Sequence, residues 1–311
     1  IESLALRGAV QFLRDDTAGY EATTREVLAL DPSAARYFQV VGELASRNFR
    51  YREALALHQQ ALDTDAGFWP ALVSIGIGFS RVGDDARALQ FLRRAFEADP
   101  FNIQAFTMVE LWEGALNDYL YVDDAEIAGL RYRFHRDESP VLSRYVPPAI
   151  RNAWRQYELR YGLTPDPPVS IEMFADGATF SIRSVGVPWA MQSGICFGHV
   201  VTARSPGEQP YNWQQTVEHE LSHVFSLQAS RSRVPRWFTE GLAEYDTILA
   251  NDAWRRDDDL GIVRALQSNR LLGVDALNRA FVVFERPEQV LEAYHQTSRS
   301  EEHTSELQSL T

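Results

Sequence analysis

The sequence predicts an α+β protein in which a run of helical repeats precedes a region of strands and further helices. Three observations lead to this class. Residues 46–65 align with residues 80–99, polar and apolar residues alternate over 130–136, and helical patterns return after residue 211. Strands followed by helices are typical of α+β proteins. We expect two domains, residues 1–115 and 116–298, with a single large domain as the alternative.

The first domain is predicted to consist of helical hairpins. Ala54 and Ala88 occupy matching positions 34 residues apart, as do Asp31, Asp65 and Asp99 in turn. Alanine allows neighbouring helices to approach closely, and aspartate is common in turns. The period resembles that of the tetratricopeptide repeat and implies an α-solenoid, although a plain bundle of hairpins would also fit. Helices are predicted over 37–48, 51–64, 69–82, 85–98 and 102–114.

The second domain is predicted to begin with strands. "LRYRFHR" (130–136) alternates apolar with basic residues, which predicts a strand with one face in water. Residues 169–174 alternate as well, and 195–204 is read as one or two strands. Asn212 is the expected N-cap of the helix that follows. Helices are predicted over 140–161, 212–228, 236–248, 253–267, 275–281 and 287–297.

Composition limits the partners. The 311 residues contain 43 acidic and 30 basic side chains, and the basic ones are all arginine. A formal charge of −13 argues against nucleic acid or an anionic membrane as the main partner. No apolar run approaches the roughly 20 residues of a transmembrane helix. Cys196 is the only cysteine, which excludes an internal disulfide, and it is expected to be a small buried hydrophobe.

The two ends of the sequence suggest a fragment. Ile1 begins in mid-pattern, so an export signal could precede it. "RSEEHTSELQS" (299–309) resembles the translation of a sequencing-library adapter. We therefore expect residues 299–311 to be a non-native tail that truncates the second domain, with a natural disordered tail as the alternative.

The segment "HELSH" (219–223) carries the strongest chemical signal. On a helix, His219 and His223 share one face and can bind the same metal ion. Glu220 lies beside them and can deprotonate a water molecule held by that ion. Apolar residues surround the pair, which predicts a helix buried on more than one side. Buried histidines need polar partners, although two surface histidines on an amphipathic helix are the alternative.

A catalytic zinc ion requires a third protein ligand and one open position. "RWFTEGLAEY" (236–245) offers two candidates, Glu240 and Glu244, which lie four residues apart on the next predicted helix. Trp237 and Phe238 are expected to anchor that helix in the core.

With these segments in view, the chain resembles the gluzincins, zinc peptidases with two histidines and a downstream glutamate. More narrowly, residues 118–298 resemble the bacterial "peptidase MA-like" domains found beside tetratricopeptide repeats. The resemblance implies a zincin-like fold, zinc ligands His219, His223 and Glu240, and Glu220 as general base. It also implies that strand 198–204 is an edge strand that pairs with substrate. The Gly-x-Met-x-Asn signature of the aminopeptidases is absent.

Two further roles are predicted. Glu244 is expected to accept a hydrogen bond from a histidine N–H, with a solvated charge as the alternative. Tyr294 is expected to donate to the developing oxyanion, with simple packing as the alternative.

These residues predict a zinc-dependent metallopeptidase that hydrolyses peptide bonds through a bound water activated by Glu220. It would use one Zn²⁺ ion and a polypeptide substrate, with a possible protein partner on the repeats. The alternative is a repeat-based binding or assembly scaffold whose zinc domain is structural or vestigial. The resemblance favours a bacterial, extracytoplasmic location.

Overall fold

The structure is a computed structural model that describes residues 1–189, 192–254, 258–281, 289–290, 292–294 and 296–297. The chain divides into two units. Unit 1 contains Ile1–Val141 and Pro167–Gln209, and unit 2 contains Leu142–Asp166 and the described residues from Pro210 onward. Unit 1 holds both the repeat helices and the sheet, so it does not coincide with predicted domain 1–115. Which segments fold independently stays a prediction. Residues 298–311, which include the predicted tail, lie outside the described residues.

Seven consecutive helices form the first part of unit 1. They are α1 Glu2–Leu13, α2 Thr17–Leu30, α3 Ala35–Arg47, α4 Tyr51–Thr64, α5 Trp69–Arg81, α6 Asp85–Ala98 and α7 Ile103–Glu113. The helical N-terminal run agrees with the predicted repeats, while the hairpin α1–α2 was not predicted. Gly8 of α1 lies against Tyr37 of α3, where a Cβ atom would come within 2.4 Å of the phenol oxygen. The close approach of these two helices therefore requires glycine there.

The repeated aspartates have a shared structural role. Asp31, Asp65 and Asp99 are the C-cap residues of α2, α4 and α6. The side chain of each accepts a hydrogen bond from the backbone N–H two residues further on, at 2.9, 2.9 and 3.1 Å respectively. The same local turn therefore ends α2, α4 and α6, the second helix of each hairpin. This explains why aspartate recurs every 34 residues.

A buried histidine makes the stability of the repeats depend on pH. His58 of α4 is 3% exposed, and its Nδ1 lies 2.9 Å from Gln39 Oε1. Burial, assisted by the charge of Arg81, lowers the pKa of His58 to about 4. In the unfolded chain the pKa is about 6.5. The neutral ring therefore stabilises the fold fully above about pH 6.5, and this contribution is lost as the pH falls towards 4.

We expect the free energy of unfolding to fall by up to ~3 kcal/mol between pH 6.5 and pH 4 through this group alone. A His58→Gln variant, which does not titrate, should show a smaller loss over the same interval. Denaturant unfolding at several pH values measures the difference. Identical pH profiles for the two proteins would contradict the assignment.

Unit 1 also contains a mixed sheet of five strands. These are β1 Tyr119–Asp123, β2 Leu130–His135, β3 Val169–Phe174, β4 Gly194–Cys196 and β5 Val200–Arg204, and α9 spans Gly177–Val185. Their order is β1-β2-β3-β5-β4, with β2, β3 and β5 parallel and the two outer strands antiparallel. The prediction that strand 198–204 lies at an edge is wrong. Strand β5 is paired on both sides because β4 folds back along it. Cys196 is buried, as predicted.

The prediction that one side of β2 faces water is also wrong at the centre of the strand. Arg133 is only 5% exposed. Its guanidinium pairs with Asp85 of α6 and lies 3.6 Å from Glu172 of β3. Arg183 of α9 completes the group, with its Nε 2.9 Å from Glu172 Oε2. Burial acts to raise the pKa of Asp85, but Arg133 and Arg183 outweigh it and hold that pKa below its usual value. Alternation identified two faces correctly, but it does not show what covers the polar one.

Unit 2 is helical in its described residues. It contains most of α8 Ser139–Tyr161, followed by α10 Trp213–Ala229, α11 Arg236–Ala250, α12 Asp258–Gln267 and α13 Val274–Ala280. Phe225 of α10 packs edge-on against Trp154 and Tyr157 of α8, with ring centroids 5.2 and 5.6 Å apart. This aromatic core holds α10 in place. Among the described residues, no helix combines the length and the apolar character needed to cross a bilayer.

Candidate metal centre

Helix α10 carries the two histidines and is buried as the sequence predicted. Asn212 is its N-cap, and the side chain accepts a hydrogen bond from the backbone N–H of Gln215 at 3.3 Å. Val217, Leu221 and Val224 are fully buried, as is Phe225. The helix therefore has apolar contacts on several sides, and its histidines are enclosed rather than on a free surface.

His219, His223 and Glu240 converge in unit 2. One potential ligand atom from each lies within 4.8 Å of the other two. The Nε2 atoms of His219 and His223 are 3.5 and 3.3 Å from Glu240 Oε2. The three side chains are only 12%, 9% and 8% exposed. Helices α10 and α11 thus bring together the three residues that the sequence and its resemblance singled out.

The other nitrogen of each imidazole already has a polar partner. His219 Nδ1 lies 3.3 Å from Glu244 Oε1, the kind of contact that the sequence analysis expected for Glu244. His223 Nδ1 lies 2.9 Å from Thr239 Oγ1, which in turn lies 2.7 Å from Ser226 Oγ. The Glu244 carboxylate can accept the Nδ1–H of His219, and the Thr239 hydroxyl can accept that of His223, which favours the tautomer whose Nε2 binds metal. Both Nε2 atoms point at the same carboxylate, so the donor set fits one shared cation.

Charge explains why these groups tolerate burial. Burial acts to lower the pKa of His219, but hydrogen bonds to Glu240 and Glu244 raise it well above its usual value. Burial acts to raise the pKa of Glu240, but His223 and His219 hold it well below its usual value. The buried carboxylate therefore needs positive charge beside it. A proton on His219 can supply that charge, and a divalent cation beside the two Nε2 atoms would supply it in the same place.

Glu220 and Tyr294 lie near His219. Glu220 follows His219 on α10, and its charge acts on the pKa values of both His219 and Tyr294. The ring of Tyr294 lies with its centroid 6.3 Å from that of His219. Burial, and after it the charges of Glu240, Glu220 and Glu244, raise the pKa of Tyr294 well above its usual value. Its hydroxyl therefore keeps its proton near neutral pH and can act as a donor.

A buried polar network supports the site from behind. Asp246 of α11 is fully buried and accepts hydrogen bonds from Tyr161 Oη at 2.8 Å and from Ser222 Oγ. It also pairs with Arg160. These contacts join α8, α10 and α11 next to His223. A carboxylate with three partners is satisfied in the interior, so the network fixes the positions of the two helices that carry the metal candidates.

Sequence reasoning missed Thr239, Ser226 and Asp246. The signal for Thr239 was its place directly before Glu240, which puts it near the start of the same helix. Trp237 and Phe238 were expected to anchor α11 in the core; both are partly buried, and Trp237 packs against the buried cluster of Leu277, Ala280 and Ala293.

No family model matches the chain, and no curated protein is similar enough to count as a relative. The function therefore has to be argued from the site itself.

Proposed function

We propose that this chain is a zinc-dependent metallopeptidase that hydrolyses peptide bonds in polypeptides. The observation that carries the proposal is the convergence of two imidazole Nε2 atoms and one carboxylate oxygen, with Glu220 adjacent. Three protein ligands of this kind leave one position open for substrate or water, as catalytic zinc requires. A purely structural zinc site normally has four protein ligands.

The donor set favours zinc over other common cations. Calcium and magnesium take oxygen ligands, whereas two imidazoles with one carboxylate suit zinc and related transition metals. The Nδ1 atoms of His219 and His223 contact Glu244 and Thr239, which supports this assignment because each Nε2, on the side of Glu240, is left to bind the metal. The arrangement supports the gluzincin type and the zincin-like fold that the resemblance implies. A polypeptide remains the proposed substrate.

Each remaining residue has a separate task in hydrolysis. Zinc, when bound, supplies a Lewis acid that polarises a carbonyl and makes a water molecule more acidic. Glu220 takes up a proton from the attacking water and passes it to the amine that leaves. The hydroxyl of Tyr294 donates to the oxygen that gains negative charge. Glu244 and Thr239 keep the two imidazole rings oriented throughout.

Cleavage of an unstructured polypeptide tests the proposal. Reduced and alkylated casein is incubated with the purified chain, with and without 1,10-phenanthroline, and fragments are measured over time. We expect cleavage that the chelator abolishes and that added Zn²⁺ restores. Zinc-loaded protein that cleaves no polypeptide would overturn the peptidase proposal and favour the scaffold alternative.

A further inference from the structure

A cavity of about 650 Å³ in unit 1 has no place in the proposed hydrolysis. It lies among α4, α5, α6 and the strands β1 and β2, and no residue of the metal centre lines it. Its volume falls within the range of sites for small ligands, roughly 300–1,000 Å³. Part of the lining is apolar and consists of Leu55, Phe79, Val82 and Pro168.

The acidic side chains of the lining are already neutralised. Asp84 caps α6, and its Oδ2 lies 2.5 Å from Arg87 Nε. Asp85 pairs with Arg133, and its Oδ2 accepts a hydrogen bond from Tyr121 Oη at 3.1 Å. Both carboxylates are therefore paired with neighbouring arginines, and neither is available to attract a cation into the cavity.

Two arginines of the lining keep unused hydrogen-bond donors. Arg131 stacks over the Tyr121 ring at 4.4 Å, and its Nη2 donates to Gly83 O at 3.2 Å. Its Nε–H is buried and has no hydrogen-bond partner among the described residues. Arg52 is exposed at the cavity and forms no ion pair with any residue that the structure describes. Guanidinium groups with free N–H donors are the usual partners of carboxylates and phosphates.

The local charge is opposite in sign to that of the whole chain. The formal charge of the chain is −13, yet three arginines line the cavity against two carboxylates. The arginines are Arg52, Arg87 and Arg131, and the carboxylates are Asp84 and Asp85. An excess of one positive charge is matched by a ligand that carries a single negative charge.

We propose that this cavity binds a carboxylate attached to an apolar group, as at the free carboxyl end of a peptide whose last residue is aromatic. The carboxylate meets Arg131 and Arg52, and the apolar group packs against Leu55, Phe79 and Pro168. The inference is independent of the proposed peptidase activity, because it uses no residue of the metal centre.

Peptide binding to the full chain tests the proposal. The probe is the peptide Gly-Ser-Gly-Ser-Phe, compared with its carboxyl-terminal amide, and calorimetry is run with and without chelator so that cleavage does not affect the result. We expect the free acid to bind about tenfold or more tightly than the amide. Arg131→Gln should weaken binding by about tenfold. Arg52→Gln, at an exposed position without an ion pair among the described residues, should weaken it by about threefold. Arg25→Gln, on the exposed surface of α2 and outside the cavity lining, should bind as the wild type does.

The source of the carboxylate is decided by one further probe, 3-phenylpropionate. If 3-phenylpropionate binds as tightly as the peptide, the recognised unit is the small aromatic acid itself, and weaker binding assigns the peptide end. Equal binding of acid and amide would overturn the proposal. So would stronger binding of inorganic phosphate, or unchanged affinity in both Arg131→Gln and Arg52→Gln.

Discussion

Replacing Glu220 by glutamine is expected to slow peptide hydrolysis by about 10²–10⁴-fold while leaving zinc content at the wild-type level. Glutamine has nearly the shape of glutamate, but it cannot take up the proton of the attacking water. Glu220 is not one of the three converging ligand residues, so the metal should stay bound. Cleavage rates and metal content, measured on the same preparation, test both halves of the expectation.

Glu218→Gln is the matched control for this variant. Glu218 lies on the same helix two residues earlier, is buried, and accepts a hydrogen bond from Gln214 at 2.8 Å. The chemical change is identical, but the side chain has no part in the site, so hydrolysis should persist. Full activity of Glu220→Gln would show that another group is the base. Equal loss in both variants would mean that the effect comes from the helix as a whole.

Replacing Glu240 by alanine is expected to lower zinc affinity by more than ~100-fold, beyond the 10–100-fold loss typical of outer partners of the ligands. The change removes one of the three converging donors and leaves two buried imidazoles without their shared carboxylate. Hydrolysis should be lost together with the metal. Competition with a chromophoric chelator measures the affinity.

Glu244→Gln provides the comparison for Glu240. Glu244 contacts the Nδ1 side of His219, away from the point where the three donors meet. Its loss should reduce zinc affinity by about 10–100-fold, less than the loss of Glu240 does. If the Glu244 variant bound zinc more weakly than the Glu240 variant, the ligand assignment would have to be exchanged.

The candidate metal centre was largely predictable because the geometry of its two histidines is local. His219 and His223 face the same way whenever residues 213–229 are helical, and the helix signals were strong. Glu240 can join the histidines only if a second helix approaches the first. The resemblance implied that Glu240 is the third ligand, whereas spacing alone left the choice between Glu240 and Glu244 open. Thr239 was not predictable, because any polar neighbour could have been the partner of His223.

The sheet was less predictable because its order depends on long-range contacts. The strand patterns at 130–136 and 169–174 placed β2 and β3 correctly. Nothing in them showed that β4 would fold back outside β5, or that Arg133 would be buried among charges from other elements. Periodicity shows which side chains share a face, whereas the neighbours of that face are set by the rest of the fold.

The metal content of the purified chain tests the central claim most directly. The protein is dialysed against excess zinc and then against metal-free buffer, and its metal content is measured by elemental mass spectrometry. The double variant His219→Ala/His223→Ala is treated in the same way. We predict about one zinc ion per wild-type chain and none in the double variant. A folded wild-type chain that retains no transition metal under these conditions would contradict the account.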